Sequence, residues 1–130
     1  MTRPSPLARP ALLLAALLPL LTSCTEAGAN GSTQDFFDRL AAAQGIASTT
    51  KRDVALETVA RDAGRAGTGE VAFEAVKRIT APYRRSSTAR DVARSLAKAG
   101  APGAATKVAQ KILDTATRDA TLAEIAETGN

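Results

Sequence analysis

The feature that most constrains the fold of this chain is an internal repeat with a period of about 33 residues. When residues 52–84 are laid over 85–117 and 118–130 without a gap, similar residue types return in the same columns. A period of this size indicates stacked helical units, each of which buries its apolar face against its neighbours. The matched columns are Arg52–Arg85–Arg118, Leu56–Ala89–Leu122, Val59–Val92–Ile125, Ala60–Ala93–Ala126, Gly67–Gly100, Ala72–Ala105 and Ile46–Ile79–Ile112.

Within each unit, the apolar residues follow a helical spacing. In the second unit, Ala89, Val92, Ala93 and Leu96 stand at i, i+3, i+4 and i+7, which is one face of a helix. We name this helix A, and predict it over 49–66, 82–99 and 115–128. A second helix, B, is predicted over 34–46, 69–79 and 103–113. The chain is therefore expected to be all-α, with six helices in the order B, A, B, A, B, A and no strand.

Local signals agree with these boundaries. Ser48 and Asp114 can accept hydrogen bonds from the open N–H groups of a helix start, and Pro82 suits a first helical position. Gly67 and Gly100 stand where helices should end, because glycine takes the left-handed conformation without strain. Tyr83 follows Pro82, and we expect its ring to pack at a helix start.

The pattern of large and small residues resembles that of tetratricopeptide-type repeats. The chain differs from them in a slightly shorter period and in smaller residues at the family's aromatic positions. The resemblance implies a short, right-handed helical-repeat α-solenoid whose ligands lie in a concave groove lined by A helices. The positions that carry it are Leu56, Val59, Ala60, Ala63, Ala72 and Val76, and again Ala89, Val92, Ala93, Leu96, Ala105 and Ala109.

The N-terminus has the layout of a secretory signal peptide. Arg3 and Arg9 form a basic segment, and residues 11–21, "ALLLAALLPLL", are eleven uncharged residues. A membrane-spanning helix needs about 20 apolar residues, so this segment is too short to cross a bilayer.

The residues Leu21-Thr22-Ser23-Cys24 that follow resemble the lipobox of bacterial lipoproteins. The resemblance implies that the thiol of Cys24 receives a diacylglycerol, that residues 1–23 are removed, and that the chain is held at the extracytoplasmic face of the cell membrane. The alternative is an ordinary signal peptide, cut near Ser23, with an incidental cysteine.

A polar segment separates the cysteine from the repeats. Residues 25–34, "TEAGANGSTQ", are small and polar, and a flexible coil of that length spans about 17 Å. We therefore divide the chain into a signal peptide (1–23), a lipidated tether (24–33) and a helical-repeat domain (34–130).

The residue types present argue against an enzyme. The chain has no histidine, so it lacks an imidazole base and histidine ligands for a metal. The segment "GRAGTGE", 64–70, lacks the Lys-Ser/Thr of a phosphate-binding loop and joins two predicted helices. No catalytic residue, cofactor or metal is expected. Two carboxylate pairs at i, i+4 are interpreted as acids at helix starts: Glu70 with Glu74, and Asp53 with Glu57.

Charge and aromatic content argue against nucleic acid as a partner. Without Arg3 and Arg9 the mature chain has 15 basic and 13 acidic side chains, and it has no tryptophan. A net charge of about +2 and few aromatic side chains give little to bind phosphates or stack on bases.

The groove implied by the family resemblance would carry five basic side chains on two neighbouring A helices. Guanidinium groups suit carboxylate and phosphate oxygens, so this basic stripe predicts a site for an acidic peptide, a C-terminal carboxylate or an anionic polymer of the envelope. The alternative is a solvated face with Glu57–Arg61 as an ordinary helix ion pair. The stripe consists of Arg61, Arg65, Arg90, Arg94 and Lys98.

Two classes of function stay open from the sequence. One is a membrane-anchored adaptor that holds another envelope protein, and the other is a binding protein for an anionic wall polymer or lipid headgroup. The predicted core is mostly alanine, which contributes little burial energy per residue. We therefore expect modest stability unless a partner or a second copy of the chain covers an open face.

Overall fold

The computed structural model describes residues 31–128, which form six α-helices and no strand. The prediction of an all-α chain is confirmed for this part. The predicted signal peptide, Cys24 and most of the tether lie outside the described residues. The helices are α1 (Thr33–Gln44), α2 (Thr49–Arg65), α3 (Gly69–Arg78), α4 (Pro82–Lys98), α5 (Pro102–Ala109) and α6 (Thr115–Thr128).

The helices form two layers around one apolar core. Helices α2, α4 and α6 contact one another in that order, and α1, α3 and α5 contact one another in the second layer. Each helix of the second layer also packs on the helix that follows it in the chain. The largest fully buried apolar side chains are Leu56, Ile79, Leu96 and Ile112.

The end of α5 is the one boundary that differs clearly from the prediction. The helix was expected to run to residue 113 but ends at Ala109. Beyond it, the N–H groups of Lys111 and Ile112 donate to the carbonyls of Val108 and Ala109, so the chain tightens into i→i−3 turns. Ile112, at the end of this turn, is buried in the core.

Glycine ends the two long helices in the way that the sequence indicates. Gly67 has φ +77° and Gly100 has φ +87°, a region that other residues enter only at a cost. The N–H that follows each glycine then donates to a carbonyl five residues earlier, at 2.8 Å for Thr68 to Ala63 and 2.9 Å for Ala101 to Leu96. These turns set the direction in which α3 and α5 leave.

Small residues bring the helices close together. Ten of the buried apolar residues between 31 and 128 are alanine. At Gly69 an added Cβ would lie 2.4 Å from the Cβ of Ala104, and at Gly64 it would lie 3.2 Å from Cγ1 of Val92. The backbones of α3 and α5, and of α2 and α4, therefore approach more closely than larger side chains would allow.

A buried carboxylate joins two helix pairs. Asp53 on α2 is 2 % exposed, and its two oxygens accept the N–H groups of Thr80 and Ala81, each at 2.9 Å. Ala81 is the N-cap residue of α4 and has no side-chain oxygen of its own. Asp53 thus caps a helix other than its own, a role that its interpretation as a helix-start acid missed.

Hydrogen bonds decide the ionisation of this carboxylate. Burial raises the pKa of Asp53, but the hydrogen bonds from Thr80 and Ala81, together with Arg52, outweigh burial and hold the pKa below its ordinary value. Ser86, 33 residues after Asp53, accepts the N–H of Leu113 at 3.0 Å, and this acceptor is neutral and weaker.

We expect Asp53→Ala to lower the free energy of unfolding by about 2–3 kcal/mol, because two N–H groups lose a charged, buried acceptor. The matched control is Ser86→Ala, which removes one neutral hydrogen bond and should cost about 1 kcal/mol. Urea denaturation followed by circular dichroism measures both. Equal losses in the two variants would contradict the assigned role of Asp53.

The same carboxylate should make stability depend on pH. Because the folded pKa of Asp53 is depressed, its contribution is present above the unfolded value of about 3.9 and is lost as the pH falls through the folded value. When the pH is lowered from about 5 to about 2, the free energy of unfolding should therefore decrease less for Asp53→Asn than for the unaltered chain. If the free energy of unfolding of the two proteins changed with pH in parallel, this prediction would be contradicted.

Candidate functional site

The five residues of the predicted basic stripe lie on two helices of the same layer. Arg61 and Arg65 are on α2, and Arg90, Arg94 and Lys98 are on α4, which contacts α2 along its length. Whether a ligand can bind these cations depends on which of them already contact carboxylates of the chain.

Arg94 is engaged by an acid on the next helix of the layer. Its Nε and Nη2 donate to the two carboxylate oxygens of Glu124 on α6, at 2.6 and 2.7 Å. This bidentate hydrogen bonding lowers the pKa of Glu124 and raises the pKa of Arg94. A ligand anion would have to displace Glu124 to use this guanidinium.

Arg61 is held by acids on two helices. It lies 3.1 Å from Glu57 on its own helix and 3.5 Å from Asp91 on α4. Glu57 also accepts a 2.7 Å hydrogen bond from Arg84 of α4, which raises the pKa of Arg84. These contacts, with the Arg94–Glu124 pair, connect α2 to α4 and α4 to α6 through charged side chains.

The remaining three members differ in their surroundings. Arg65 lies 3.0 Å from Asp62, which also binds Arg39 of α1 at 2.6 Å. Lys98 is exposed at the end of α4 and, within residues 31–128, has no carboxylate within 4.0 Å. Arg90 has only a long contact, 3.7 Å from its Nε to Asp91. That Nε is buried and finds no hydrogen-bond partner among the described residues.

The basic stripe is therefore interleaved with acids. Four carboxylates, those of Glu57, Asp62, Asp91 and Glu124, lie within 4.0 Å of four of its members, and only Lys98 has none among the described residues. Sequence reasoning paired Glu57 with Arg61 but did not assign Asp62, Asp91 or Glu124 to the stripe. A signal was present, because Asp91 and Glu124 are 33 residues apart in the sequence, as are the arginines that they bind.

A groove between α4 and α6 is the second candidate site. It encloses about 300 Å³ between the first half of α4, the α5–α6 connection and the first turn of α6, and we name it the α4–α6 groove. The ring of Tyr83 was expected to pack at the start of α4, but it is 85 % exposed at the edge of this groove. As the second residue of α4, Tyr83 precedes the part of the helix that faces the core. Among the residues that line the groove are Tyr83, Arg90, Leu113, Asp114 and Thr117.

None of the helices within residues 31–128 is both long and apolar enough to cross a membrane. The same part of the chain holds no cluster of three or more histidine, cysteine, aspartate or glutamate side chains placed to bind a metal ion.

Comparison of the chain with protein-family models, with curated proteins and with solved structures finds no match.

We expect the Arg94–Glu124 pair to show a favourable coupling energy, larger than that of a pair within one helix, in a double-mutant cycle of Arg94→Ala and Glu124→Ala. The value should fall in 1 M NaCl, because the pair is on the surface and is screened. Arg65 and Asp62, which pair within one helix, form the control cycle and should couple by about 0.2–0.5 kcal/mol. Zero coupling between Arg94 and Glu124 at low salt would mean that α4 and α6 do not share this ion pair in solution.

Proposed function

We propose that this chain is a membrane-anchored, extracytoplasmic lipoprotein whose helical domain is a non-catalytic module for binding another protein. The observation that carries the anchor is Leu21-Thr22-Ser23-Cys24 at the end of a short apolar run. Helix α1, which begins at Thr33 behind a capping box at Ser32, follows Cys24 closely in the chain. The helical domain would then be held near the lipid surface.

We further propose that the helix pairs are repeats of a short, right-handed solenoid of the tetratricopeptide type. Successive helices of one layer begin at Thr49, Pro82 and Thr115, which are evenly spaced by one repeat period. Equivalent hydrogen bonds support the proposal: Arg52 donates to the carbonyl of Ile46 and Arg85 donates to that of Ile79, both at 3.4 Å. The repeated glycine turns and the repeated arginine–acid pairs of the layer support it as well.

The roles of the carboxylates support a non-catalytic module. Asp53 caps α4 and Glu57 binds two arginines, so both acids of this pair have structural partners. Glu74 lies 3.5 Å from Lys77 and 3.1 Å from Arg78. General acid–base catalysis needs a group that can reach a substrate and exchange a proton, and these acids are already held by cations or N–H groups.

The alternative function, binding of an anionic envelope ligand by the basic stripe, has less support. Arg61, Arg65 and Arg94 already contact carboxylates of this chain at 3.5 Å or less. Such a ligand would have to displace those carboxylates, and its binding would fall steeply with ionic strength. An adaptor surface needs no such exchange.

We expect mass spectrometry of the natural protein to find a mature chain that starts at Cys24 and carries a thioether-linked diacylglycerol. Cys24→Ser should remove the lipid and leave the leader in place. The matched control is Ser23→Ala, which keeps a small residue before the cysteine and should still be processed. If the protein isolated from its native cells had an unmodified Cys24 thiol, or still carried residues 1–23, the proposed lipid anchor would be contradicted.

A further inference from the structure

The α4–α6 groove carries most of the exposed large apolar side chains of residues 31–128. Between residues 31 and 128, three large hydrophobic side chains are exposed, and two of them, Tyr83 and Leu113, line this groove. Leu113 is 55 % exposed and Tyr83 is 85 % exposed. They belong to different helix pairs and both line one opening, and exposed apolar side chains around a concave opening are typical of a site that receives an apolar side chain of a partner.

The same groove contains a cation that is poorly satisfied within the chain. Arg90 lines it, its side chain is 41 % exposed, and its one carboxylate contact, from Nε to Asp91, is long at 3.7 Å. Asp114, the acid of the groove, already accepts the N–H of Thr117 at 2.7 Å as it caps α6. Arg61 and Arg94, the neighbouring arginines of the layer, are bound to carboxylates. Arg90 is thus the groove's point of attachment for a carboxylate.

The spacing of these groups fixes the shape of a ligand. Tyr83 and Arg90 are seven residues, or about 10 Å, apart along α4. The guanidinium stands at the end of a long, rotatable side chain, so it can lie closer to the ring than the two backbone positions do. In an extended peptide, side chains at i and i+2 share a face and are about 6.7 Å apart. An apolar residue and an acid two positions later therefore match the groove.

We propose that the α4–α6 groove binds an extended segment of a partner protein, with an apolar side chain between Tyr83 and Leu113 and an aspartate or glutamate two residues later on Arg90. The proposal rests on the proposed adaptor function and names the chemistry of its partner. A simple anion would use Arg90 but gain nothing from the ring and the leucine. A volume of about 300 Å³ accommodates one apolar side chain with its neighbouring backbone, at the lower limit of ligand pockets.

The test is an NMR titration of the full, isotope-labelled chain in detergent with synthetic nonapeptides. The first peptide carries Leu-Ser-Glu in a glycine–serine background. Leu-Ser-Gln removes the charge, Ser-Ser-Glu removes the apolar group, and Leu-Glu-Ser places the two groups on opposite faces. We expect only the first to shift the amide signals of α4 and the α5–α6 connection, with a Kd of about 0.1–1 mM, and the others to bind about tenfold more weakly.

Variants of the protein give the second arm of the test. Tyr83→Ser and Arg90→Gln should each weaken binding of the first peptide about tenfold. Val54→Ser, at an exposed apolar residue outside the groove, and Lys98→Gln, at an exposed cation outside it, are the controls and should bind as the unaltered chain does. Because Tyr83 is mostly exposed, its replacement should leave the circular dichroism spectrum unchanged.

Three results would overturn the proposal: no shifts at 5 mM peptide, equal binding of all four peptides, or equal binding by the groove variants and the controls. Self-association of the chain that Tyr83→Ser abolishes would assign the groove to a second copy and would also overturn it. Crosslinking in the native membrane separates this failure from that of the adaptor function. A partner that is still crosslinked to Tyr83→Ser and Arg90→Gln would keep the adaptor function and reject the groove.

Discussion

Neighbouring helices in this structure approach one another across alanine and glycine, and the rest of the fold depends on that close approach. Gly69 faces Ala104 with no room for a further carbon, and at Gly64 a further carbon would be tight against Val92. A core of this kind buries little apolar area for each residue, so burial alone stabilises it less than a core of leucine would. Specific polar links such as the two hydrogen bonds to Asp53 consequently carry a larger share of the stability.

The charged side chains of helices α2, α4 and α6 also link neighbouring helices to one another. Arg61 with Asp91 and Arg94 with Glu124 join successive helices at equivalent places. A cation that joins helices is a poor receptor for a ligand, because its acid must leave first. This distinction separates Arg90 from the other arginines of the basic stripe, since Arg90 has only a long contact to a carboxylate and lies beside an exposed apolar surface.

Much of the fold could be predicted from the sequence because its signals are local. The capping residues Ser48 and Asp114 and the two glycine turns act within a few residues of the chain. The ends of the two long helices, α2 and α4, could be predicted from the glycine turns. The early end of α5 could not be predicted, because it depends on the burial of Ile112 in the assembled core.

The candidate site was less accessible to sequence reasoning, because side-chain partners depend on how helices lie beside each other. The five basic residues do lie on two adjacent helices, but the acids between them belong to contacts across the layer. The exposure of Tyr83 likewise depends on where the α5–α6 connection passes.

The most direct test of the close approach of the helices is to measure the free energy of unfolding of Gly69→Ala, of Ala104→Gly and of the double variant. A Cβ at position 69 would meet that of Ala104 at 2.4 Å, so we expect Gly69→Ala to cost about 1–3 kcal/mol and Ala104→Gly to restore at least about 1 kcal/mol of it. A stabilising Gly69→Ala, as helix propensity alone would give, or strictly additive effects would contradict the account.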